Sequence, residues 1–155
     1  MTATADETAA ADRVRDTLAR QGLLRTLGVE VVEVEPGRVV LDLPVRPEVA
    51  QQDGFVHAGA VTALADAAAG AAAQSMMPAG KNVLSVEFKV NLLSPGVGER
   101  LRAAATVVRS GRTITVVTAA VESLGGADAT TGSGKPVALM QATMIAVDAA
   151  AADRR

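Results

Sequence analysis

At 155 residues, with no shift of composition along its length, the chain has the size of one domain built on a single core. Its 15 basic and 17 acidic residues are scattered and leave a formal charge of −2, so there is no electrostatic footprint for nucleic acid or for an anionic membrane. Cysteine is absent and histidine occurs once, which excludes thiol nucleophiles, disulfides, cysteine zinc sites and histidine-rich metal clusters, so no metal is expected.

Residues 1–11 carry Asp6 and Glu7 but neither a basic start nor an apolar run. They read as a flexible N-terminus rather than a secretory signal, and a cytoplasmic protein is expected. Over 12–27 the spacing predicts a helix, with Val14, Leu18, Leu23, Leu24 and Leu27 on one side and Arg13, Asp16 and Arg20 on the other, stopped by Gly28. The segments 29–35 and 39–45 alternate apolar and polar residues around the Pro36-Gly37 turn, a hairpin. A loop over 46–56 holds Gln51, Gln52, Asp53 and Gly54 and leads into a long alanine-rich helix over 58–77, ended by Pro78 and Gly80.

Three extended segments follow, 83–93, 100–109 and 113–124, the last two joined through Ser110-Gly111. A Gly/Ala/Thr/Ser stretch over 125–134 reads as a mobile loop, 136–147 as a last strand, and 149–155 as a flexible C-terminus, leaving 12–148 as one domain. Strands and helices do not alternate as βαβ units, so an α+β architecture is expected, an antiparallel sheet packed on one helix. Alanine on all sides of that helix lets a curved sheet wrap closely over it.

One carboxylate, Asp66, interrupts this helix. A buried unpaired carboxylate costs several kcal/mol, and the positions one turn away, Thr62, Ala63, Ala69 and Gly70, offer no cation. The helix has roughly the length needed to cross a bilayer, but Asp66 at its middle and alanine in place of leucine argue against that. Asp66 is therefore the first candidate for chemistry.

Taken in order, Gln51-x-x-Gly54-x-x-His57-Ala58-Gly59, then Asp66, then Ser85-Val86-Glu87-Phe88 running into Asn91-Leu92-Leu93-Ser94-Pro95, then Val108-Arg109-Ser110-Gly111-Arg112-Thr113, resemble the hotdog-fold acyl-CoA thioesterases of the phenylacetate-degradation (PaaI-like) type. The resemblance spans 27–147. It implies an antiparallel β-sheet wrapped around a long central α-helix, a homodimer as minimal unit and a homotetramer of paired dimers. It also implies an acyl-CoA substrate, with coenzyme A a part of that substrate and no cofactor besides. Two positions depart from the pattern: the usual His-Gly-Gly reads His57-Ala58-Gly59, and a frequent upstream asparagine stands as Gln51, with Gln52 beside it as a rival.

Thioester hydrolysis needs oxyanion donors, a base or nucleophile, and a placed water. The helix start offers the N–H groups of Ala58 and Gly59, backed by the positive end of the helix dipole. Asp66 supplies the carboxylate, as general base or as nucleophile. Ala58 and Asp66 are eight residues apart, roughly 12 Å along one axis, too far to meet one carbonyl. A site shared by two chains about a two-fold axis resolves this.

The resemblance further implies that Ser85 orients water beside Asp66 and that the Gln51 amide lies near the substrate carbonyl. Phe55 is the one plausible aromatic wall, and Met76 and Met77 suit either core or an adaptable pocket. His57 reads as a structural hydrogen-bonding group, since a charged form is disfavoured at a helix start. Arg109 and Arg112 flank a hairpin turn, where exposed charge is ordinary, and are candidates to meet the nucleotide phosphates. The substrate class expected is an aryl- or medium-chain acyl-CoA. Two competing readings are a hotdog hydratase or dehydratase, using His57 with Asp66, and a non-catalytic acyl-CoA binder.

Overall fold

The computed structural model describes residues 4–125 and 134–149, so most of the 125–134 loop and the chain ends lie outside the described residues. The first helix, α1 (Ala5–Arg20), starts earlier than the apolar periodicity predicts. Thr4 and Glu7 form a reciprocal capping box, in which the Glu7 carboxylate accepts from the Thr4 N–H at 2.7 Å and the Thr4 hydroxyl accepts from the Glu7 N–H. Residues 5–11, expected to be flexible, are therefore helical. Their first turn is set by polar caps, to which apolar spacing is blind. Gln21 then turns to an extended conformation and splits the single expected helix, leaving a short α2 (Gly22–Leu27) that Gly28 ends in the left-handed region at φ 74°.

Strands β1 (Glu30–Glu35) and β2 (Arg38–Pro44) form the hairpin. The long helix α3 (Ala58–Ser75) follows, and then β3 (Lys81–Leu92), β4 (Arg100–Ser110), β5 (Ile114–Leu124) and β6 (Lys135–Asp148). All pairings are antiparallel and the spatial order is β1-β2-β4-β5-β6-β3, so β1 and β3 are the edges.

The expected wrapping is present. Ala65, Ala68, Ala69, Ala72 and Ala73 of α3 are sealed beneath Val39, Leu41, Leu43, Leu101, Val117 and Met144 of the sheet. Because only methyl groups stand between the helix backbone and the strands at these five positions, a larger residue at Ala68 or Ala72 would overpack the core, at about 1–3 kcal/mol. Helix α1 packs against α3 through Val14 and Leu18, tied by Arg13 Nη2 to the Met77 carbonyl at 2.7 Å.

One irregularity positions the site. The β3–β6 register shifts between Ser85 and Glu87, a bulge at Val86. In a regular strand Ser85 and Phe88 would point to opposite faces, since side chains alternate. The extra residue places Ser85 opposite buried Met144 and Phe88 opposite buried Ala142, so both belong to the helix side.

Candidate functional site

The sequence candidates separate into two places along α3. At the helix start, His57 is the N-cap, and its Nδ1 accepts from the Gly59 N–H at 2.8 Å. That bond requires the neutral ring with its proton on Nε2. Gly59, expected to offer a free N–H, has it committed to this cap, because an N-cap side chain reaches the second helical residue. The Ala58 N–H has no acceptor among the described residues, and it is exposed at the positive end of an 18-residue helix.

The loop before it folds back on itself. Gln51 N–H donates to the Phe55 carbonyl at 2.8 Å and Gly54 turns at φ 86°. The Gln51 side-chain oxygen accepts from the Asp53 N–H, leaving Nε2 without an acceptor among the described residues. A cavity of about 410 Å³ opens here, lined by Gln51, Phe55, Ala58, Val61 and the 92–96 segment. Gln52 lies off this wall, with its amide on Asp53 Oδ2 at 3.1 Å.

Asp66 is in the second place. Ser85 Oγ donates to Asp66 Oδ1 at 2.7 Å. The carboxylate was expected to be fully buried; in the single chain it is half-buried, because it lies on the strip of α3 between α1 and the edge strand β3, where the sheet ends. A cavity of about 200 Å³ adjoins it, walled by Thr17 and Leu18 of α1, Gln21 just past its end, Ala67, Gly70 and Gln74 of α3, and Val83 to Ser85 of β3. Thr17, Gln21 and Gln74 did not emerge from the sequence reading. Gln74 carried a signal: it stands four and eight residues beyond Gly70 and Asp66, on the same helical face of an otherwise apolar segment.

The structure therefore brings Asp66 together with Ser85, and Gln51 with Phe55 and Ala58, but does not join the two groups within one chain. Arg109 and Arg112 line neither cavity; both are exposed at the β4–β5 hairpin and form no ion pair among the described residues. Met77 is buried and Met76 half-exposed. Among the described residues no three His, Cys, Asp or Glu side chains gather as they would around a metal ion, and no helix is long and apolar enough to cross a membrane.

Comparison with known proteins converges on one family. The sequence model of the thioesterase superfamily matches residues 53–130. A 1,4-dihydroxy-2-naphthoyl-CoA hydrolase from Listeria monocytogenes is 32% identical over 95 residues, 61% of this chain and 77% of that protein. The crystal structure of a thioesterase family protein from Silicibacter pomeroyi superposes with a TM-score of 0.83 at 43% identity, over 90% of this chain and 98% of that one. The PaaI protein of the Escherichia coli phenylacetic acid degradation operon shares the fold, with a TM-score of 0.78 at 20% identity over 91% of this chain and 95% of that one.

Proposed function

This chain belongs to the thioesterase superfamily of thioester hydrolases, and from that premise we propose that it cleaves an aryl- or medium-chain acyl-CoA to the free acid and coenzyme A, in a site completed by a second copy of the chain. The observation that carries this reading is the course of β3. Its Val83, Leu84 and Ser85 wall the Asp66 cavity, and its far end, Leu92, walls the cavity at the helix start.

Among the described residues no strand pairs with the outer edge of β3, and Leu84, Val86 and Phe88 of that strand are exposed in the single chain, Val86 by 56%. An unpaired edge strand of 12 residues with exposed apolar side chains along it is a template for strand pairing. When an identical β3 pairs antiparallel along it about a two-fold axis, opposite ends meet. Asp66 of one copy then faces the partner subunit's Ala58 N–H and Gln51 amide, and two equivalent sites form. Pairing of such dimers into a homotetramer is part of the same reading.

In that site the Ala58 N–H and Gln51 Nε2 hold the thioester oxygen as it takes up negative charge. Asp66 Oδ1 is engaged by Ser85, so Oδ2 performs the chemistry. As general base it takes a proton from water, the water oxygen bonds to the carbonyl carbon, and collapse breaks the C–S bond, the proton passing to the leaving thiolate. As nucleophile it attacks the carbon itself, expels the thiolate and leaves an anhydride that water opens. Label found in Asp66 after a single turnover in ¹⁸O-labelled water establishes the anhydride route, because only water that opens the anhydride at the Asp66 carbonyl carbon can place it there.

A hydratase would need His57 as partner acid or base, and its Nδ1 is held in the cap. The deciding experiment is a panel of aryl- and medium-chain acyl-CoA thioesters and enoyl-CoA, scored for thiol release against hydration. Thiol release with a kcat/KM ranking across the panel supports the reading. Hydration without thiol release, or binding without turnover, overturns it.

A further inference from the structure

A further cavity, of about 200 Å³, lies between α1, α2 and the β1–β2 hairpin, with Leu18, Leu24, Val29, Val31 and Leu41 as its apolar walls. Pockets that take drug-sized ligands run to about 300–1,000 Å³, so this space suits a small molecule and not a whole coenzyme A thioester. Neither the hydrolytic chemistry nor the pairing of β3 uses it. Leu18 walls both this cavity and the one beside Asp66. Around the helix, Thr17 and Gln21 lie to one side of Leu18, on the Asp66 cavity, and Arg15 and Ala19 to the other. Leu18 is therefore the partition between them.

Arg15 and Arg25 complete the wall, and both are exposed. Neither forms an ion pair among the described residues. Long cationic side chains of this kind lay their stems on apolar surface and keep the charged head in water. Arg15 and Ala19 are one turn apart on α1, roughly 6 Å along its axis. Arg25 reaches back to that same turn, where its Nη1 donates to the Ala19 carbonyl at 3.0 Å. This bond fixes the guanidinium at the last turn of α1 and offsets the negative end of the helix dipole, which would otherwise repel an anion. Both heads are thus within reach of one carboxylate.

An apolar cavity with unpaired guanidinium groups at its rim is complementary to an apolar body that carries one carboxylate. We propose that this cavity is a second binding site, for small apolar carboxylic acids of the class that acyl-CoA hydrolysis releases, and that filling it raises the KM of the hydrolase. The inference rests on the hydrolase reading for the source of the acid, and goes beyond it in assigning a site outside the catalytic one. The carboxylate meets Arg15 and Arg25, and the body lies on Leu18, Leu24 and Val31. With this cavity filled, Leu18 loses the space into which it can move as substrate enters beside Asp66. The bound acid thereby opposes substrate without occupying the catalytic site.

The test uses the full-length chain with benzoate, phenylacetate and hexanoate, against acetate, which lacks the body, and phenylacetamide, which lacks the charge. Calorimetry gives the Kd of each, and steady-state assays give its effect on KM. Two variants alter this cavity alone: the double variant Arg15→Gln with Arg25→Gln removes the charge, and Ala19→Leu fills the space. At least one of the three acids should bind the wild type and raise KM, while acetate and phenylacetamide do neither. The double variant should keep the wild-type kcat and KM when no acid is added, and weaken both binding and inhibition about tenfold, the scale of two exposed ion pairs. Ala19→Leu should abolish binding here and make KM insensitive to acid, and it carries the test alone should the double variant fail to fold. Acids that fail to bind, that bind without raising KM, or whose Kd and inhibition neither variant moves overturn the inference and leave the hydrolase reading standing. No thiol release from the acyl-CoA panel, with acid binding that still depends on the two arginines, overturns the hydrolase reading and leaves the acid site in place.

Discussion

Ser85 Oγ and Asp66 Oδ1 lie 2.7 Å apart, a hydrogen bond from a bulged edge strand to the middle of the central helix. It fixes one carboxylate oxygen and leaves the other to react. Asp66→Asn keeps an oxygen for Ser85 to donate to, so the fold should survive while kcat falls by about 10²–10⁴. Ser85→Ala should cost about tenfold in kcat with little change in KM, the loss of one orienting hydrogen bond. Steady-state assays on well-folded variants check both, and undiminished turnover by Asp66→Asn would remove it from the chemistry.

The shared site makes a second expectation quantitative. Ala58 is the first residue of α3, where proline is tolerated, and His57 already has the extended backbone that a following proline demands, at φ −59° and ψ 136°. Ala58→Pro thus deletes the oxyanion donor with little disturbance to the helix and should lower kcat by about 10²-fold. Mixing it with Asp66→Asn under subunit exchange should restore roughly a quarter of wild-type activity, because half the dimers are mixed and each carries one intact site. If each chain worked alone, the mixture would be as inactive as its components.

Edge strand β3 is the seam in this arrangement. Val86→Lys and Phe88→Glu each set a charge on the free edge, at residues exposed by 56% and 43% in the single chain. Charge there opposes strand pairing. The double variant should sediment as a monomer, keep its helical and strand content, and lose thiol release together with its partner. A monomer of full activity would refute the two-chain site.

Away from the site, Asp42 on β2 is buried at 3% exposure and is gripped through both oxygens by Arg102 on β4, at 2.7 and 2.8 Å. Hydrogen bonding to Asp42 raises the Arg102 guanidinium further above its already high ordinary value, so the guanidinium stays charged at any working pH. Arg102→Met should destabilise the fold by about 1.5–3 kcal/mol, since it leaves a buried carboxylate without its two hydrogen bonds and with only Arg100 near it, at 3.9 Å. Urea denaturation measures this, and a loss under about 0.5 kcal/mol would mean that water reaches Asp42 and solvates it.

The architecture was legible because its signals are local. Proline and glycine at 36–37 and 78–80 mark turns, alternation marks strands, and the alanine content of 58–75 marks a helix that a sheet can enclose. Asp66 stood out by cost alone. The break at Gln21 was not legible, since nothing in Gln21-Gly22 forbids a continuous helix. Gln74 went unread because hydrophobic periodicity treats a lone amide as noise, and only the packing of Thr17 against it reveals a paired nitrogen and an open oxygen. The committed Gly59 N–H was equally out of reach, because it depends on the His57 rotamer.

His57 separates capping from catalysis. Its Nδ1 satisfies the Gly59 N–H, and Ala60 and Val61 donate to its carbonyl at 2.9 and 3.1 Å, so the residue holds the start of α3 and with it the direction of the Ala58 N–H. Asparagine offers a side-chain acceptor at the same place and is among the best N-caps, whereas alanine offers none. His57→Ala should cost about 1 kcal/mol of stability and lower kcat through a frayed donor. His57→Asn should recover the stability and more of the activity than alanine does, and it should leave the pH dependence of kcat/KM where the wild type has it. If asparagine is as inactive as alanine although the helix is restored, the imidazole itself takes part in the reaction, and the hydratase-type partnership with Asp66 becomes the stronger account.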